Sequence, residues 1–239
     1  MTIDFAAADY VKQLRRAGLR PTERLAQNIT NAGEAAVGPL LDLACDVELL
    51  EGAPPECYAP IHALRLLGEL RSPRIIEPLL RAFSLDRQGS GYLRVIWANE
   101  IPQIIGRLGS AAVEQLWAIF DDESYTIDQR GAALMALGCA VAVDEGLREP
   151  VVAALRERLA ASTEPSITGH LIAALANLGV SEAYKDAMAR FRAGEVDLDV
   201  TTAAEARQLM LTPGIKRLAC ARHPLWERYD EHGPFAENE

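Results

Sequence analysis

Apolar side chains return every three or four positions along most of this chain, the spacing of one face of a helix. The stretch LGELRSPRIIEPLLRAF, residues 67–83, shows the pattern twice: one amphipathic run ends, Ser72-Pro73 breaks it, and a second run begins. Similar segments stand at 105–120, IGRLGSAAVEQLWAIF, and at 29–44, ITNAGEAAVGPLLDLA, and two weaker copies follow. Aligned on the second run, the first apolar column reads Val37, Ile76, Val113, Val152 and Tyr184, at separations of 39, 37, 39 and 32 residues. The same offsets give Leu40, Leu79, Leu116, Leu155 and Ala187, and then Ala44, Phe83, Phe120, Leu159 and Phe191. These positions lie at i, i+3 and i+7 of each copy, which predicts a helix buried along one stripe. Self-similarity at a nearly constant period marks a stack of structural repeats.

Each copy is preceded by another helical run: 58–70, 92–108, 128–140 and 166–179. Gly33, Gly109 and Gly179 fall where a helix would end in a left-handed residue, and Ser72-Pro73 offers a cap and a first-turn proline for the helix that follows. Polar joints at 51–57, 86–91 and 121–128 predict loops between the helix pairs. At the ends the period is lost. Residues 5–18 predict a capping helix with Ile3, Phe5, Tyr10, Val11 and Leu14 as its apolar side, and 201–210 a last helix. The remaining tail is rich in Pro, His and aromatics, and Trp226, Tyr229 and Phe235 are expected to dock as a cap over the end of the stack, the alternative being a recognition segment.

A tetratricopeptide array or an ankyrin array would carry its own period and turn signature, and neither is visible. A DNA-reading helix-turn-helix would need basic and base-reading side chains on its second helix. Residues 73–83 offer Arg74 and Arg81, but the aligned segment at 110–120 has no basic residue. Antiparallel helix pairs at a period near 37, with Leu-Gly late in the first helix and Pro in the first turns of the second, resemble HEAT repeats. RLLGELRSPRIIEPLLRAF, 65–83, is similar to the ALGxLGDPRAVPPLLxAL pattern of phycobilisome-lyase-like HEAT proteins. The resemblance covers about residues 22–192; the longer turn at 140–146 and the lack of a clear proline in the fifth unit depart from it. It implies an all-α chain coiled as a right-handed α-α superhelix, a HEAT-like α-solenoid of about five helix pairs with terminal capping helices. The expected organisation is a single domain over 1–239, with an N-terminal cap at 1–21, repeats at 22–192, and a C-terminal cap and tail at 193–239.

Composition narrows the function classes. At 239 residues the chain can bury a large core. Its net charge of −10 argues against a nucleic-acid partner, because that affinity rests on Lys and Arg neutralising phosphates. No apolar run approaches the roughly 18 residues of a membrane span, the start of the chain does not read as a secretory leader, and four scattered cysteines do not form a disulfide framework. A cytoplasmic protein with reduced thiols and no membrane contact is the expectation.

Candidate chemistry is sparse. There is no G-x-S-x-G, phosphate loop, H-E-x-x-H or C-x-x-C motif. Cys220, His223 and His232 are the nearest approach to a metal-ligand cluster, but no fourth ligand is evident, so no metal and no cofactor is expected. His62 and His170 read as half-buried or surface polar residues rather than catalytic bases. Cys45 and Cys139 read as small buried hydrophobes, and Cys57, beside Pro54-Pro55, as the most exposed thiol. Asp121-Asp122-Glu123 and Asp197 with Asp199 read as helix caps.

In a HEAT-like stack the second helices line the concave face, which places Glu77, Arg81, Glu114, Arg156, Glu157 and Lys185 where a ligand would lie. Trp117 sits in the column Leu41, Leu80, Trp117, Arg156 and Met188, either as an interface anchor or packed between repeats. Mixed charge with an aromatic suits a protein or peptide partner. The expected role is a non-catalytic scaffold or adaptor. The resemblance also implies an alternative, a subunit of a bilin-lyase-like, tetrapyrrole-handling enzyme.

Overall fold

The computed structural model describes residues 2–84, 91–212 and 218–235, with side chains from residue 6 onward. The described residues are helical throughout, without a strand. The helices are α1 (Thr2–Gln13), α2 (Glu23–Asn31), α3 (Glu34–Ala44), α4 (Ala59–Leu70), α5 (Ile76–Ala82), α6 (Tyr92–Gly106) and α7 (Ser110–Asp121). They continue as α8 (Ile127–Val143), α9 (Arg148–Ala161), α10 (Pro165–Asn177), α11 (Tyr184–Ala193), α12 (Ala203–Leu211) and α13 (Leu225–His232). None of the described helices is long and apolar enough to cross a membrane.

Helix starts follow local chemistry. Thr22, Thr126 and Thr202 cap α2, α8 and α12 by accepting a backbone N–H from Leu25, Gln129 and Glu205. At α8 the Gln129 side chain accepts in return from the Thr126 N–H at 3.0 Å, closing a capping box. Gly33 and Gly109 adopt φ of 57° and 59° and turn the chain directly into α3 and α7. In the second, fourth and fifth units a single 3-10 turn (Pro73–Ile75, Glu145–Leu147, Ser181–Ala183) leads into α5, α9 and α11 instead. Ser72 does not act as the expected cap: its side chain makes no capping bond and is buried. Arg71, with φ of 52°, ends α4 in the left-handed conformation.

The first helix of each pair packs on the next in order, α2 on α4, then α6, α8, α10 and α12. The central column Leu40, Leu79, Leu116, Leu155 and Ala187 is buried in every unit. The first column holds in the first two units, where Val37 and Ile76 are buried, and shifts in the last three: Val113, Val152 and Tyr184 are half-buried, whereas Ala112, Val151 and Ala183, one residue earlier, are buried like Ala36 and Ile75. The stripe steps by i, i+4 and i+8, which tilts it the other way across the helix from i, i+3 and i+7. Phe191 is the half-buried member of the third column. At the N-terminus Val11 and Leu14 are buried and Tyr10 is half-buried, while the Ile3 and Phe5 side chains lie outside the description, as does most of the expected loop at 86–91.

Close approach in the row depends on glycine. A Cβ added at Gly106 of α6 would stand 2.3 Å from the Cys139 Cβ and 2.9 Å from the Cys139 carbonyl carbon of α8. Because backbone is in the way, α6 and α8 would have to separate. Gly106→Ala is expected to cost about 1–3 kcal/mol through overpacking, read as a lower urea midpoint; an unchanged midpoint would contradict the contact.

Candidate functional site

The described end of the tail lies along the first helices rather than over α11 and α12. After the 3-10 turn Ala219–Arg222, which packs on α6 and α8, α13 packs on α4, so the chain returns across the first-helix row toward its own N-terminus. Arg20 meets it there, pairing with Asp230 at 2.8 Å and lying 4.7 Å above the Trp226 ring. Tyr229 is buried and Trp226 half-buried, but Phe235 remains 48% exposed, contrary to its expected docking.

Along this path lies a set of buried polar side chains, on the first helices and on α13 itself. His62 and Arg65 of α4, Glu100 of α6 and Arg228 of α13 are all essentially inaccessible, and Arg107, just beyond α6, is buried too. Buried charge is costly unless paired and hydrogen-bonded. Arg65 forks onto both Glu100 oxygens, with Nε at 3.1 and 2.9 Å, donates to the Gly233 carbonyl, and lies 4.4 Å from the Tyr229 ring centroid. Arg107 donates to the carbonyls of Gly68 and His223 and pairs with Glu69 at 2.9 Å. Arg228 donates to the carbonyls of His223 and Cys220 and to Gln103 Oε1 at 2.9 Å. The tail thus supplies the acceptors that the buried arginines need.

His62 is fully buried, not half-buried as expected. Its Nε2 lies 2.8 Å from the Gly18 carbonyl and must donate; Nδ1, 2.7 Å from the Tyr229 hydroxyl, then accepts. Burial pulls its pKa down to about 4, with the Gly18 bond opposing and Arg65 assisting. The thiols are equally inert. Cys57 is buried rather than exposed, Cys45 is pushed up to about 11 by burial and then by Asp42, and burial also raises Cys139 and Cys220. The acidic loops make specific contacts. Asp121 pairs with Arg158 at 2.6 Å, Asp122 accepts from the Ser124 N–H, and Asp197 accepts from Ser166 and from the Asp199 N–H.

Between the tail and α6, α8 and α10 lies a cavity of about 700 Å³, with Phe83, Tyr92 and Phe235 as its aromatic walls and Glu100, Asp128 and Glu231 as its acids. Cys139, Cys220, His170 and His232 also line it.

On the second helices, Glu77, Arg81, Glu114, Arg156 and Lys185 are exposed, as is Glu157. The structure joins Arg81 to Glu77 at 3.7 Å and sets the Arg81 guanidinium 3.8 Å from the Tyr125 ring centroid. Arg156 pairs with Asp186 at 3.9 Å. Trp117 is half-buried under the Arg158 guanidinium, 4.1 Å from its ring centroid, and meets Phe120 edge-on. The buried arginine set was not among the sequence candidates. The signal for it is a charged residue inside an apolar helical run, as with Arg65 in HALRLLG and Glu100 in WANEIPQII. The chain matches no family model, and neither the curated proteins nor the solved structures contain a significant match to it.

Proposed function

We propose that the chain is a HEAT-like α-solenoid serving as a non-catalytic scaffold, and that its second helices receive a protein or peptide partner. One observation carries this reading: the two rows of helices differ in how they are covered. The tail covers part of the first-helix row, on α4, α6 and α8, through the buried arginines, while α5, α7, α9 and α11 present Glu77, Arg81, Glu114, Arg156 and Lys185 to solvent around the half-buried Trp117. Arg and Trp are the usual anchors of such interfaces, and the mixed charge favours a partner of matching pattern over a polyanion. A bilin-lyase-like reading draws on the cavity, whose volume suits a small molecule. Three carboxylates, Glu100, Asp128 and Glu231, line it, a charge that does not favour a propionate-bearing ligand.

The test is a pull-down from native lysate with quantitative mass spectrometry, comparing the wild type with Arg81→Glu/Trp117→Ala/Arg156→Glu after circular dichroism has verified the variant's helices. An anchor worth about 2 kcal/mol corresponds to an affinity about 30-fold weaker, so specific partners should vanish from the variant. Identical lists would refute the second-helix interface.

A further inference from the structure

The tail brings together three side chains, His223, Glu231 and His232. His223 follows the 3-10 turn, and Glu231 and His232 end α13. Their ligand atoms all lie within 4.8 Å of one another. The His223 Nδ1 is 3.1 Å and the His232 Nε2 3.7 Å from the same Glu231 carboxylate oxygen. Neither ring nitrogen has a hydrogen-bond partner among the described residues, although both atoms are buried. The two imidazoles stack nearly parallel, 12° apart, with their centroids 6.1 Å from each other. Two buried nitrogens that approach one carboxylate oxygen without a hydrogen bond are well suited to a shared cation.

We propose that His223, Glu231 and His232 form a divalent-cation site of the zinc class in the wall of the cavity. The donor set is two imidazole nitrogens and one carboxylate oxygen, a combination that borderline metals prefer over calcium or magnesium. Around a tetrahedral zinc, neighbouring ligand atoms stand about 3.3 Å apart, so the cluster needs only side-chain adjustments of about 1 Å to close on an ion. Three protein ligands leave a coordination position open, the pattern of a site that takes an exchangeable ligand. Glu231 and His232 both line the 700 Å³ cavity, so that ligand would come from the cavity side. Cys220 is outside this cluster. Glu231 is therefore the third donor that reading Cys220, His223 and His232 together from the sequence does not supply.

The experiment strips the full-length protein with a chelator and titrates it with cobalt(II) and zinc chloride against a chromophoric competitor. The proposal expects one ion per chain, and cobalt d–d bands without a thiolate charge-transfer band. His232→Ala and Glu231→Gln should each weaken binding by at least about tenfold, while Cys220→Ser should bind as the wild type does. Both substituted side chains are partly exposed, at 36% and 45%, so the variants are expected to keep the wild-type circular dichroism spectrum and melting temperature when metal-free. Absence of binding to the wild type, equal binding by the His232 and Glu231 variants, or a thiolate band lost in Cys220→Ser would each overturn the site.

Discussion

Glu100→Ala is expected to destabilise the protein by about 3–5 kcal/mol, because it leaves Arg65 buried without its counter-ion and removes the charge nearest Arg228. The magnitude comes from the asymmetry of buried pairs. Desolvating both charges nearly cancels their attraction, so the pair itself adds little net stability, whereas one partner alone keeps the full desolvation penalty. The double replacement Arg65→Met/Glu100→Leu should therefore recover much of the loss. Recovery should stop short of wild type, since the Gly233 carbonyl loses the Arg65 donor, a deficit of about 1–3 kcal/mol, and Arg228 still lacks Glu100. Urea midpoints of wild type, single and double variants decide the matter. A Glu100→Ala loss below about 1 kcal/mol would mean that water reaches Arg65, and that the tail does not seal the row.

The second large effect is a dependence of stability on pH. His62 has a folded-state pKa near 4, below its ordinary 6.5, so between these values the unfolded chain takes up a proton that the folded chain refuses. Stability must then rise with pH through this window and fall as the solution is acidified. A displacement of this size is worth about 3 kcal/mol once pH drops below the folded value. The groups facing His62 include the Tyr229 hydroxyl, the Gly18 carbonyl, the Arg65 guanidinium and the Tyr58 ring, and none of these supplies a negative charge to receive the proton. Carboxylates elsewhere also weaken the fold in acid, so the informative quantity is the difference between wild type and His62→Gln. That difference should shrink by about 3 kcal/mol between pH 6.5 and 4; a constant difference would show that His62 titrates normally.

The helices were legible from the sequence because their stripe is periodic and their turns carry Gly, Pro and Thr. Predicted first helices at 58–70 and 92–108 fall within two residues of α4 and α6. The registration of the buried columns was less so, since Val113 and Ala112 are adjacent and either completes a three-column stripe; only the tilt of the helix against its neighbour decides between them. The path of the tail was not legible at all. Tyr229 and Arg228 are fixed by partners at 62 and 103, contacts across long sequence separations that leave no local pattern. Cys57 misled for a related reason: Pro54-Pro55 marks a loop, but the following 3-10 turn folds its thiol inward. For the second helices the sequence identified which charges are exposed, and the structure adds their pairings, Glu77 with Arg81 and Asp186 with Arg156.

The central claim is that partners meet the second-helix row and not the tail-covered side. Its most direct test is site-specific photo-crosslinking in native lysate, with a photoreactive amino acid placed singly at Glu114, at Lys185, or at the exposed Glu227 of α13. The account expects the same partner to be captured from positions 114 and 185 and not from 227. Capture from 227 alone would place the partner on the tail, and the proposed scaffold face would be the wrong one.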